Sequence, residues 1–151
     1  MRADELAPDF SLVDQVGKTR TLGDLLADGP VVLFFYPAAL SPGCTRESCH
    51  FRDLAGEFAA LGAGIVGISM DEVATQDAFA RRHHLGYPLL SDPDGRVAEV
   101  YGVKRSLGFL RVKRTTFVIG SDRRILAVVA SEVSMSAHAD RALEALRQRA
   151  A

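Results

Sequence analysis

The chain has 151 residues, 48% of them hydrophobic and 25% charged, with a formal net charge of -1. That length suits one domain with its own core, and a chain so near neutrality carries no overall field to draw it to nucleic acid or an anionic membrane. The opening MRADELAPDF puts Asp4, Glu5 and Asp9 where a secretory leader needs apolar residues, and the longest apolar run is broken by Pro37, well short of the ~20 residues of a membrane span.

A cytoplasmic location is therefore expected, where thiols are kept reduced. In chain order, FSLVDQVGKTRTL predicts a short hairpin turning near Gly17 and Lys18, and TLGDLLADG a brief helix that stops at Gly29. PVVLFFYP is a continuous apolar, β-branched and aromatic run, the pattern of a strand covered on both faces. From Cys44 to Leu61 the residues Cys44, Phe51, Leu54, Ala55, Phe58 and Leu61 recur at helical spacing. AGIVGISM predicts a second buried strand, and DEVATQDAFARRHH a helix with Asp71 as its cap. YPLLSDPDG gives a strand and a turn, and RVAEVYGV a short helix. TTFVIG and RILAVVAS are strands joined through GSDRR, which suits an antiparallel hairpin. SAHADRALEALRQRA closes the chain as an amphipathic helix with Ala139, Leu143 and Leu146 facing inward. The order β-β-α-β-α-β-α-β-α-β-β-α predicts an α/β fold with a central mixed sheet flanked by helices. A thioredoxin-like core with an N-terminal hairpin extension is the leading candidate, with residues 1–151 as one domain.

Both cysteines fall within YPAALSPGCTRESCHF, residues 36–51. The strand before it delivers the chain to a proline-rich loop, and a helix starts near Pro42 or Gly43. Cys44 then lies in the first helical turn, where unpaired N–H groups and the positive end of the helix dipole favour an anion. A thiol so placed is favoured as the reactive thiolate rather than as a small buried hydrophobe.

These residues resemble the active-site segment of the peroxiredoxins, in particular the bacterioferritin comigratory protein group, also called peroxiredoxin Q. That family's pattern is Pro, three residues, Thr or Ser, two residues, then the peroxidatic cysteine; here Pro37, Ser41 and Cys44 fill it. APDFSLVDQVGKTRTL, YPLLSDPDGRVAEVYGV and KRTTFVIGSDRRIL are similar to further family segments in the same order. The resemblance implies a thiol-dependent peroxidase acting on hydrogen peroxide and organic hydroperoxides. Cys44 is then the nucleophile that becomes a sulfenic acid, and Arg114 the cation beside it. Ser41 supplies a hydroxyl to the peroxide, Pro37 an apolar shield, and Glu47, one turn after Cys44, the anchor for Arg114. Most relatives carry Thr where this chain has Ser41, so the hydroxyl here lacks the methyl that restricts its rotation.

On a regular helix, Cys44 and Cys49 stand about 8 to 9 Å apart and point over ~100° away from each other, whereas a disulfide spans at most about 7 Å. Either Cys49 is inert, or residues 42–50 unwind once Cys44 is oxidised. The resemblance implies the second: an intramolecular Cys44–Cys49 disulfide, recycled by thioredoxin or a similar dithiol protein. A monomer is expected, with a weak dimer as the alternative.

KRSLGFLRVKR, residues 104–114, is read as a surface loop ending in Arg114, with Leu107, Phe109 and Leu110 as possible contacts for a partner. His50, His83, His84 and His138 form no zinc pattern with the cysteines, and no metal or cofactor is expected. Two competing functions share the fold. A thioredoxin-type disulfide oxidoreductase needs Cys-x-x-Cys and a proline before the later strand, but the chain has Cys-x4-Cys and no proline between Asp94 and its C-terminus. A copper-binding protein would use Cys44, Cys49 and a histidine, and would bind copper without turning over peroxide.

Overall fold

The computed structural model describes residues 1–105 and 111–150. Its frame is a seven-stranded mixed sheet, and the chain's most apolar stretch lies in the middle of it. The strands are β1 (Ser11–Asp14), β2 (Thr19–Thr21), β3 (Val31–Phe35), β4 (Gly64–Ser69), β5 (Leu89–Ser91), β6 (Thr115–Ile119) and β7 (Ile125–Ala130), in the spatial order β2-β1-β5-β4-β3-β6-β7. β3 pairs in parallel with β4 and β4 with β5, while β6 and β7 run antiparallel beyond β3. β1 pairs antiparallel with both β2 and β5. This is the expected thioredoxin-like arrangement with an added N-terminal hairpin.

All five residues of β3 are buried because helices cover both faces of the sheet. Val32, Phe34 and Tyr36 point to one face, where they meet Phe51, Phe58, Phe79, Leu143 and Leu146. Val31, Leu33 and Phe35 point to the other, among Leu22, Ile68, Tyr101, Phe117 and Ile125. The alternation of strand side chains thus makes two cores from one apolar run; each fully buried aromatic or aliphatic side chain stabilises it by roughly 1.5–3 kcal/mol.

The helices are α1 (Leu22–Leu25), α2 (Pro42–Asp53), α3 (Ala55–Ala60), α4 (Val73–His83), α5 (Arg96–Val100) and α6 (Met135–Ala150). Two expectations need correction. The helix predicted from Cys44 to Leu61 is two helices, broken at Leu54 (φ -96°, ψ 7°), so Ala55 is exposed while Phe51 and Phe58 remain buried. Asp71 is not the cap of α4. The cap residue is Glu72, and the Asp71 carboxylate instead accepts from the Ala39 N–H at 2.7 Å and the Ser69 hydroxyl at 2.7 Å. A loop that leaves a buried strand must satisfy its own N–H groups, and Asp71 is in reach of one. α4 ends on the exposed His84, whose left-handed conformation closes the helix. No helix among the described residues is long and apolar enough to cross a membrane.

Candidate active site

The site forms where β3 ends. Phe35 pairs with Thr115, so the antiparallel register sets the residue before β6, Arg114, beside the loop that follows β3. That loop, residues 36–41, leads into α2. Ser41 is the N-cap residue (φ -72°, ψ 152°) and Pro42 opens the helix, suited by its fixed φ and missing N–H. The Ser41 side chain makes no capping bond; its hydroxyl donates to the Ala38 carbonyl at 2.8 Å. The N–H groups of the first turn therefore lack a side-chain acceptor, in a helix with no acidic residue in that turn. Leu40 takes φ +68°, a left-handed backbone costing a β-carbon about 1–2 kcal/mol; the Asp71 bond to Ala39 helps hold the loop in this form.

Cys44 is a free thiol, fully buried on the inner face of α2. The Arg114 Nη2 donates to its Sγ at 3.4 Å, and Nη1 donates to Glu47 Oε1 at 2.7 Å. Glu47, one turn after Cys44, is 0% exposed and Arg114 7%. Burial works against the guanidinium charge, but Glu47 and Cys44 outweigh it and raise the Arg114 pKa. For Glu47 burial wins: it pushes the carboxyl up to about 8, although Arg114 draws it down. Pro37 is buried at the start of the loop. Cys49 is a free, half-buried thiol on the same helix as Cys44, and α2 runs unbroken through both. Arg114, Glu47 and Cys44 are thus in direct contact, Pro37 and Ser41 border them on the loop, and Cys49 stands apart on the helix.

Three participants were given no part in the site by the sequence. Glu132, just past β7, accepts the Arg114 backbone N–H at 3.0 Å and pairs with Arg105 at 2.9 Å. His138, fully buried on α6, lies 3.4 Å from Glu47 through Nδ1. Asp71 ties Arg111, at 3.2 Å, to the loop before α2. Among the described residues of the basic segment 104–114, Arg105, Arg111 and Arg114 each have an acidic partner. Leu107, Phe109 and Leu110 lie outside the described residues. Among the described residues no three His, Cys, Asp or Glu side chains gather as a metal site.

Comparison with known proteins gives a consistent set of likenesses. Residues 3–128 match the AhpC/TSA family. A Mycobacterium tuberculosis protein bearing the name peroxiredoxin is 58% identical over 149 residues, 97% of each chain. The chloroplastic peroxiredoxin Q of Populus jackii is 36% identical over 140 residues, 93% of this chain and 65% of that one. In three dimensions the crystal structure of the peroxidoxin BcpB from Mycobacterium tuberculosis superposes with a TM-score of 0.94 at 57% identity, over 98% of this chain and 97% of that one. The Xanthomonas campestris bacterioferritin comigratory protein, described for its alkyl peroxide reduction activity, superposes with a TM-score of 0.89 at 30% identity over the whole of both chains.

Proposed function

This chain belongs to the AhpC/TSA family, in its peroxiredoxin Q branch, and is a thiol peroxidase; from that premise we propose that Cys44 is its peroxidatic sulfur and Arg114 the cation that activates it. The observation that carries the assignment is the buried Arg114 Nη2–Cys44 Sγ contact at 3.4 Å, at the start of a helix whose first N–H groups have no side-chain acceptor.

The thiolate attacks one peroxide oxygen in line with the O–O bond. An S–O bond forms, the O–O bond breaks, and the second oxygen leaves with the electron pair and takes a proton to become water or an alcohol. Arg114 and the first-turn N–H groups stabilise the charge moving from sulfur to oxygen, and burial of Cys44 and Pro37 excludes water from the reaction. The Ser41 hydroxyl spends its proton on Ala38, so it meets the peroxide as an acceptor. Cys44 is left as a sulfenic acid. The Cys49 thiol then attacks that sulfur, an S–S bond forms and water departs, which requires the start of α2 to unwind. A dithiol protein of thioredoxin type reduces the disulfide, and since both thiols lie on one helix the cycle runs within a single chain. The copper-binding and disulfide-oxidoreductase readings give way to the family membership.

Stopped-flow mixing of the reduced protein with hydrogen peroxide tests the assignment. Rapid loss of one thiolate per chain is expected, abolished in Cys44→Ser and slowed about 10²–10³-fold in Arg114→Ala. After one equivalent of peroxide, mass spectrometry should show loss of two hydrogens in the unmutated protein and gain of one oxygen in Cys49→Ser. Full reactivity of Cys44→Ser overturns the assignment, and a stable one-oxygen adduct in the unmutated protein overturns the role of Cys49.

A further inference from the structure

Behind Arg114 lies a polar cluster that takes no direct part in the attack on peroxide. His138, in the first turn of α6, directs Nε2 to the Ser131 carbonyl at 2.8 Å. A carbonyl only accepts, so Nε2 carries the hydrogen, and in a neutral ring Nδ1 presents a lone pair. Facing that lone pair are the Thr116 hydroxyl at 2.8 Å and Glu47 Oε2 at 3.4 Å. Glu47 Oε1 is taken up by Arg114, but Oε2 is buried with no hydrogen-bond partner. Both side chains are 0% exposed.

An ionised Glu47 opposite a neutral His138 would leave a buried, unsatisfied charged oxygen 3.4 Å from a nitrogen that has no proton to give it, a costly arrangement. One proton between Oε2 and Nδ1 removes the conflict, whichever atom holds it. We propose that Glu47 and His138 hold one proton jointly and so fix the charge that Arg114 presents to Cys44, which makes His138 a positioning residue of the peroxidase reaction. Burial pushes Glu47 up to about 8 and pushes His138 below its ordinary value, which places the proton mainly on Glu47. The other charged groups that face the pair are Arg114 before β6, Glu132 after β7 and Arg141 on α6.

While the proton is held, Arg114 Nη1 donates to a neutral carboxyl and its charge is directed at the sulfur 3.4 Å from Nη2. Once it is lost, a carboxylate one turn from Cys44 competes for the same guanidinium. The rate of reaction with peroxide then falls by about fivefold, the effect of one added negative charge near the sulfur. The consequence for rate rests on Cys44 being the reacting thiol; the shared proton does not.

Two measurements on the full, reduced chain separate these points. In protein labelled with ¹³C-carboxyl glutamate and ¹⁵N-histidine, NMR between about pH 6 and 9 should show Glu47 and His138 responding together in one step near 8. Glu47 behaving as a carboxylate throughout, while His138 stays neutral or titrates alone, overturns the proposal. The second measurement is the pH profile of the peroxide rate. His138→Asn places an amide donor where Nδ1 stands, stabilises the carboxylate, and should move the alkaline fall about one unit down. His138→Phe keeps the burial without a polar partner and should move it about one unit up. A merely structural role lowers the rate at every pH without moving the fall, and an unmoved fall in both variants overturns the proposal. Should Phe fail to fold, the unmutated protein's NMR still decides. If Cys44 is not the reacting thiol, the NMR step remains and the rate profile loses it.

Discussion

The position next to the nucleophile shows how little room the site leaves. A β-carbon on Gly43 would come within 3.2 Å of Arg114 Nη2 and 3.4 Å of Met135 Sδ. The first distance is tight enough that the guanidinium must move by a few tenths of an ångström, and the thioether leaves it little room to do so. Helix propensity favours alanine over glycine here by up to ~1 kcal/mol, so Gly43→Ala should melt no lower than the unmutated protein. Its peroxide rate should nevertheless fall about tenfold, because Arg114 is displaced from the sulfur. Thermal melting and stopped-flow kinetics on the same sample check this; an unchanged rate would show that Arg114 tolerates the shift. Residues at this scale were legible in the sequence where a local pattern fixes them. Cys44 in a strand–loop–helix turn, with Pro37, Ser41 and Pro42 at set spacings, is such a pattern. Glu47 and Arg114 were named through the family resemblance instead, because the single turn from Cys44 to Glu47 and the mouth of the TTFVI strand do not by themselves name each other as partners.

At the level of elements, α2 must be firm enough to bury Cys44 and weak enough at its start to release it. Its first turn has no side-chain cap, and helix ends sit at the low end of local stability. Further along, the Tyr87 hydroxyl donates to the Ser48 carbonyl at 2.7 Å, a bond from outside the helix to the residue before Cys49. If residues 42–50 unwind to form the disulfide, that bond resists the motion. Removing it in Tyr87→Phe takes away about 1 kcal/mol of anchoring, which corresponds to roughly fivefold faster disulfide formation. Peroxide consumption by Cys44 should stay unchanged. The two steps are read separately, by rapid quench with thiol alkylation and by peroxide loss. A slower or unaltered disulfide step would mean that α2 does not open at Ser48. The break at Leu54 was not legible, because the apolar spacing continues across it: Phe51 and Phe58 are buried in one core although the helix is interrupted between them. Asp71 shows the same limit, since a carboxylate before a helix reads as a cap, and only the folded loop reveals that Ala39 claims it.

Across the whole molecule, the order of strands and helices was readable because each element has its own hydrophobic period. What periodicity does not contain is which helices meet over the sheet. α2 and α6 pack on the same face, where Glu47 and His138 come together with Arg114 from the edge of β6. His138 carries a faint signal, a polar residue adjoining the inward stripe of Ala139, Leu143 and Leu146, but nothing local names its partner. This long-range meeting has a consequence for stability. Glu47 ionises near 4.5 in an unfolded chain and is raised to about 8 in the fold, so between those values the folded state binds the additional proton. Its contribution is therefore complete below about 4.5 and is lost as the pH rises through about 8. His83 and His138, both lowered from 6.5, act in the opposite sense, with stability present above 6.5 and lost as the pH falls. Above neutrality their effect is complete, and of these three groups only Glu47 still contributes a slope. The melting temperature should thus fall from pH 7 to a little above 8, and Glu47→Gln, which has no proton to lose, should flatten that fall. The comparison is made by calorimetry at matched ionic strength. An identical slope in the two proteins would show that Glu47 does not carry the additional proton in the neutral fold.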